Sequence, residues 1–293
     1  LEYRASLQQS DVDARRSSRL AEDNNSHVRD EVMRQVHEGY ISRAASLASS
    51  PGIAPLGEGT AQRLRDLWNC PPHRVSTEWS SPDASTRAEI VAAIEQKLRK
   101  SLRTAGKGSG AGLSGWRFEY LFPLLRSPGH TWTPFVHLIS VIAVGDAPRW
   151  VRGILSLGRA TALKKKDDGI RPLVCHEPLR RLVTRSLVFA SKQDISAYLG
   201  PYQFAVGTEG GCPALALSVL KLAEKHERMI FFKLDLENAY NRQCREDALE
   251  SLSAPAPALT SFLRQFYGSE SKYFYRTSKS CLLYTSDAAD EVQ

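Results

Sequence analysis

Asp235 is the residue whose setting most suggests chemistry. It closes an apolar run, Met229-Ile230-Phe231-Phe232-Lys233-Leu234-Asp235-Leu236, and stands just before Glu237-Asn238-Ala239-Tyr240. The run reads as a strand and the residues after it as the entry to a helix. A carboxylate at such a point can hold a divalent ion through its oxygens. Strand alternation also puts Lys233, Asp235 and Glu237 on one face, so Asp235 could equally be solvated there or cap the next helix.

The second chemical feature is cationic. Between residues 159 and 185 lie Arg159, Lys164, Lys165, Lys166, Arg171, Arg180, Arg181 and Arg185, opposed by Asp167, Asp168 and Glu177, for a local charge of about +5 out of the chain's +7. Arg171 follows a tight turn and precedes Pro172, which holds the backbone extended. Its guanidinium could grip phosphate oxygens in pairs, with Lys164, Lys165 and Lys166 as point charges nearby. The same residues would also serve as a solvated basic surface. Arg180 and Arg181 fit a solvated helix face equally well.

Other chemistries find no support. The Gly-rich stretch Gly106–Gly112 lacks the G-x-x-x-x-G-K-[ST] order of a nucleotide-binding loop. Neither H-E-x-x-H nor G-x-S-x-G occurs. Five cysteines, at 70, 175, 212, 244 and 281, are odd in number and have no C-x-x-C spacing, which speaks against a disulfide framework or zinc knot. Cys175-His176 offers two metal-ligating side chains and no more. No apolar run reaches the length of a membrane-spanning helix.

The elements that must position these groups follow from periodicity. Helices are expected over 31–50, 60–68, 87–100 (capped by Ser85 or Thr86), 116–126, 132–144, 177–198 and 213–225. Two strands, 162–165 and 170–174, flank the turn Asp167-Asp168-Gly169 and form a hairpin. At 42% apolar and 24% charged, the 293 residues are ordinary globular material, long enough for one or two domains.

Taken in order, these segments resemble the reverse transcriptase domain of non-LTR retrotransposons. GLSGWRFEYL at 112–121 is similar to that family's opening block. LKKKDDGIRPLVCHEPLRRLVTR at 163–185 is similar to its fingers hairpin. PYQFAVGTEGGCPALA at 201–216 is similar to the block with its conserved glutamine, and FFKLDLENAYNRQCR at 231–245 to the first catalytic block of the palm. FLRQFYGSESKYFY at 262–275 looks like the helix and strand that come next.

The resemblance implies an α+β chain, a right-hand polymerase fold in part: the fingers and the N-terminal part of the palm. Asp235 would be the first palm aspartate, a catalytic residue and a ligand of Mg²⁺. The Leu236 backbone would help hold the second ion and the triphosphate. Tyr240 would sit under the incoming sugar and exclude a 2′-hydroxyl. Lys164, Lys165 and Arg171 would contact the triphosphate. Gln203 and Gly207 would support the template and nucleotide surface, and the Gly-rich loop with Arg117 would approach a template or primer backbone. RNA template, DNA primer and dNTPs are the implied partners.

The turn at Lys164–Asp168 is more charged than the family's K-x-x-G-x-x-R-P pattern, so which lysine reaches phosphate stays open. The family's aromatic-x-D-D hairpin has no counterpart after Tyr240; Asp287 and Asp290 are three apart. The expectation is therefore a polypeptide that cannot polymerise alone. Residues 1–104 are expected to be a helical, partly disordered extension and 105–278 a partial polymerase domain. Residues 279–293, containing CLLYTSDAADE, resemble translated sequencing-adapter text. Two other readings stay in view: a non-catalytic nucleic-acid-binding remnant, and a relative of RNA-dependent RNA polymerases, against which Tyr240 argues.

Overall fold

The computed structural model describes residues 28–37, 39, 41–68, 79–205, 208–226, 228–236, 243–267, 272–277 and 281–285. The chain divides into two compact units. One joins the N-terminal segment up to Pro55 with Ala162–Arg171; the other contains Leu56–Thr161 and everything from Pro172 onward.

In the first unit the expected single helix over 31–50 is two: α1 (residues 28–37) and α2 (Ile41–Ala48). Gly39 separates them. Its φ of +80° is left-handed, and its N–H donates to Val36 O, the signature of a glycine-capped helix end. After α2 the chain turns at Ser50-Pro51-Gly52 and runs extended through Ala54.

The second unit is built on α4 (Ala84–Arg103), which follows α3 (Glu58–Trp68). Asp83, rather than Ser85 or Thr86, caps α4: its carboxylate accepts the Thr86 N–H at 2.7 Å. Lys100 and Arg103 in the last turn complement the helix dipole. Ile90, Ile94, Leu98 and Leu102 recur every fourth residue and are fully buried. They pack with Ile139 and Ile142 of α5 (Gly129–Val144), with Leu182, Val183 and Leu187 of α7 (Pro178–Leu199), and with Phe262 and Phe266 of a later helix. A buried polar link crosses this core, Ser186 Oγ to Ser101 Oγ at 3.1 Å, and at its exposed edge Arg185 donates to the Thr104 carbonyl at 3.0 Å. Helix α6 (Arg149–Ser156) lies between α5 and the sheet in sequence.

The expected helix over 116–126 is instead two short 3₁₀ turns, Phe118–Tyr120 and Phe122–Arg126. Pro123 has no N–H to give an α-helical ladder, so the chain restarts there.

A four-stranded mixed sheet has the order β2-β1-β3-β4, with β1 Gly158–Lys164, β2 Ile170–His176, β3 Lys272–Arg276 and β4 Cys281–Thr285. β1 pairs in parallel with β3, Gly158 opposite Tyr273, and β3 pairs antiparallel with β4. β4 falls within the stretch that resembles adapter text; its Leu, Tyr and Thr favour strand whatever their source. The chain is thus α+β with a small sheet at the side of a helical core. Among the described residues three further helices follow: α8 (Gly211–Lys225), α9 (Arg245–Ser253) and α10 (Pro257–Tyr267). None of the described helices is long and apolar enough to cross a membrane.

One expected element is missing. Residues 229–236 form no strand. A strand needs a neighbour for its backbone groups, and no described segment pairs with this one. Its apolar side chains consequently face outward: Phe232 is 85% and Leu234 89% exposed.

Candidate functional site

The hairpin forms as expected and its basic residues converge. The turn closes through Lys165 N–H to Gly169 O at 2.8 Å, and Asp168 takes a left-handed φ of +57°, which Asp tolerates better than most residues. Lys164, Lys165, Lys166, Asp167 and Arg171 line one groove of about 620 Å³, together with Leu163, Ser50 and Pro51. The N-terminal segment is thus a wall of this groove, which the sequence reading missed.

It is held there by strand addition. Ala54 N–H donates to Ala162 O and Lys164 N–H to Gly52 O, both at 2.9 Å, and Ile53 bridges Leu163 antiparallel. Gly52 makes the turn with φ +84°, and Ser50 Oγ accepts its N–H at 3.2 Å. The edge pattern of β1 could not reveal a partner more than a hundred residues upstream. The groove can hold an anion of phosphate type, since four cations outnumber the single carboxylate that lines it.

In the other unit, the end of β2 and the residues that follow it are tightly engaged. Cys175 and His176 point to opposite faces by strand alternation, so they form no metal pair. A Cβ on Gly110 would run into Cys175 Sγ, which places the thiol beneath the Gly-rich loop. His176 Nδ1 lies 3.1 Å from both Leu157 O and Arg180 Nη1. One tautomer serves the carbonyl and the other the guanidinium, never both. Burial, reinforced by the Arg180 charge, pushes the His176 pKa down to about 4, so the ring is neutral at pH 7.

Arg180 corrects the solvated-face reading. It is 4% exposed. Its guanidinium lies 4.2 Å from the Phe266 ring centroid and donates to Leu155 O and Ser156 O at 3.3 Å. Burial draws its pKa down, countered by Tyr267 and Tyr273, and an arginine still stays charged. Arg181 is engaged as well, stacking over Phe118 at 4.7 Å and donating to Gly110 O at 2.7 Å.

Glu177, which the sequence reading left without a role, anchors the opening block. It is 7% exposed, and its carboxylate accepts Ser114 N–H at 2.9 Å and Ser114 Oγ–H at 2.5 Å. Gly112 sits so close that a Cβ there would strike this carboxylate. The Gly-rich stretch is therefore seated on the start of α7 at Gly110 and Gly112, and its glycines there serve close packing. Arg117 projects outward from it.

The remaining candidates are less gathered. Asp235 and Leu236 lie on the exposed stretch after α8, and Leu236 is 77% exposed. Among the described residues no three His, Cys, Asp or Glu side chains cluster as a metal site. Gln203 Oε1 accepts Ala205 N–H at 3.0 Å, which is a turn-capping role. Tyr240 and Gly207 lie outside the described residues.

No family model matches the chain. Among curated proteins, it is 24% identical over 224 residues to the retrotransposable element SLACS 132 kDa protein of Trypanosoma brucei gambiense. The match covers 74% of this chain and 18% of that relative. This likeness links the chain to a retroelement-encoded protein.

Proposed function

We propose that the chain is the fingers and the first part of the palm of a non-LTR retroelement reverse transcriptase, an RNA-directed DNA polymerase in partial right-hand form. The observation that carries the reading is the hairpin groove, where Lys164, Lys165, Lys166 and Arg171 converge in a chain with retroelement likeness. In this reading the hairpin grips the triphosphate of an incoming dNTP, Arg171 in bidentate fashion and a lysine as a point charge. Gln203 supports the template side and Tyr240 excludes ribonucleotides. Partners are an RNA template and a DNA primer.

Mg²⁺ would supply activation of the primer hydroxyl and neutralisation of the leaving pyrophosphate. In this reading Asp235 and the Leu236 carbonyl would be the donors that hold it. One carboxylate on an exposed stretch does not by itself make a Mg²⁺ site, which takes octahedral oxygen coordination. The same exposure fits a strand that acquires its partners from outside this chain. No catalytic step is therefore assigned to these residues alone.

A second reading is a nucleic-acid-binding remnant without catalysis that uses the same basic groove. Both readings expect affinity for an RNA–DNA hybrid that falls steeply with salt. Replacing Lys164, Lys165 and Arg171 with alanine should flatten that salt slope; salt-independent binding would defeat both. Primer extension by the purified chain with Mg²⁺ and dNTPs is expected to be absent. Extension abolished by Asp235→Ala would show instead that the chain is a complete catalyst.

A further inference from the structure

The opening block presents two aromatic rings to solvent on a fixed backbone. Trp116 and Tyr120 are 50% and 61% exposed, with ring centroids 6.4 Å apart at 85°. The 3₁₀ turn Phe118–Tyr120 directs Tyr120 outward, and Trp116 precedes that turn on the exposed loop. Residues three apart eclipse in such a turn, and Phe118 and Leu121 take the buried face. Trp116, Arg117 and Tyr120 are left on the other side, all exposed.

The backbone beneath them is locked. Trp116 N–H donates to Ser114 Oγ at 3.1 Å, and Ser114 is itself held twice by Glu177. Gly115 turns the chain with φ +79°. Glu119 is turned onto the loop, where Oε1 accepts the Gly108 N–H. Both acids of this region are thus turned onto the loop, Glu177 at Ser114 and Glu119 at Gly108, while Arg117 faces outward and Arg181 reaches the loop at Gly110.

We propose that Trp116 and Tyr120 form a stacking platform for the unpaired bases of a nucleic-acid strand, with Arg117 alongside for its phosphates. Aromatic faces accept any base, and a nearby guanidinium adds charge attraction without sequence preference. The anchored backbone removes much of the ordering cost such a contact would otherwise carry. The inference rests on the reading of the chain as nucleic-acid-binding and names the surface that meets bases rather than phosphates.

The test compares two oligonucleotides of equal charge: a twelve-residue oligothymidylate and an abasic strand of the same length. The wild-type chain should prefer the strand with bases. Trp116→Leu combined with Tyr120→Leu should weaken oligothymidylate binding on the order of tenfold or more and leave abasic binding unchanged. Trp116→Phe with Tyr120→Phe should restore most of it and guards against a folding defect. Trp150→Leu, at a still more exposed tryptophan elsewhere, should change nothing. Equal wild-type affinity for both strands, or equal loss on both in the double leucine variant, overturns the platform while leaving the nucleic-acid reading intact. No wild-type binding to either strand overturns both.

Discussion

Two stretches of this chain invert the usual arrangement in opposite ways. Around the start of α7 charge goes inside: Arg180 is buried against Phe266, and Glu177 is buried under the opening block. From Cys212 to Leu236 apolar surface stays outside: no described residue of that stretch is buried, despite Leu217, Leu220, Ile230, Phe232 and Leu234. The difference is one of partners. Every buried charge in the first stretch has carbonyls, backbone N–H groups or aromatic rings to face. The apolar side chains of the second have none within the described chain. A buried charge with complete partners is settled structure, whereas an exposed apolar stretch of this extent marks a surface that awaits contact.

That contrast can be broken by mutation. The largest effect is expected at Arg180. Arg180→Ala strips the donors from Leu155 O and Ser156 O and opens a void beside Phe266, for a loss of about 3 kcal/mol in urea denaturation. Arg180→Met should recover much of that by filling the space. Next comes acid. His176 is neutral when folded, with a pKa of about 4, while an unfolded histidine titrates near 6.5. The unfolded state therefore binds the proton first. Stability is complete above pH 6.5 and falls as pH drops toward 4, by at most about 3 kcal/mol. His176→Gln should flatten denaturation midpoints across that window.

A smaller effect is expected at the groove wall. Gly52→Val forces a β-branched residue into a left-handed turn, at a cost of about 1–2 kcal/mol. Faster hydrogen exchange at the Lys164 amide would report the lost pairing with Gly52 O. The smallest change in stability belongs to the apolar stretch. Leu217→Lys with Phe232→Ser should stay within about 0.5 kcal/mol and should reduce self-association in light scattering. A large loss there would mean that these side chains are buried after all, and the contrast would fail.

Legibility from sequence followed the same division. The hairpin, its turn and the long helices α4, α5 and α7 were readable because their signals are local: Asp167-Asp168-Gly169 between strand-forming runs, and apolar residues at helical spacing. The strand expected over Met229–Leu236 was misread. Met229–Leu236 has strand composition, but a strand also needs a neighbour that composition cannot supply. Arg180 read as solvent-facing because an arginine on a helix usually is, and its aromatic cover comes from Phe266, far along the chain. Glu177 gave no signal, since its partner Ser114 lies 63 residues upstream. The closeness of Lys164, Lys165 and Arg171 on one hairpin was expected; the groove they line with Ser50 and Pro51 was not.

The Ser114–Glu177 latch has a consequence for synthesis. Its two ends are 63 residues apart. At about 5–20 residues per second of translation, Glu177 is made roughly 3–13 seconds after Ser114. During that interval Gly110 and Gly112 have nothing to rest on, and Trp116 stands on an unanchored loop. The Ser101–Ser186 link, 85 residues apart, closes later still. Folding of the opening block is thus timed by the arrival of α7, and a ribosome paused before Glu177 holds a nascent chain whose aromatic surface is open to chaperones.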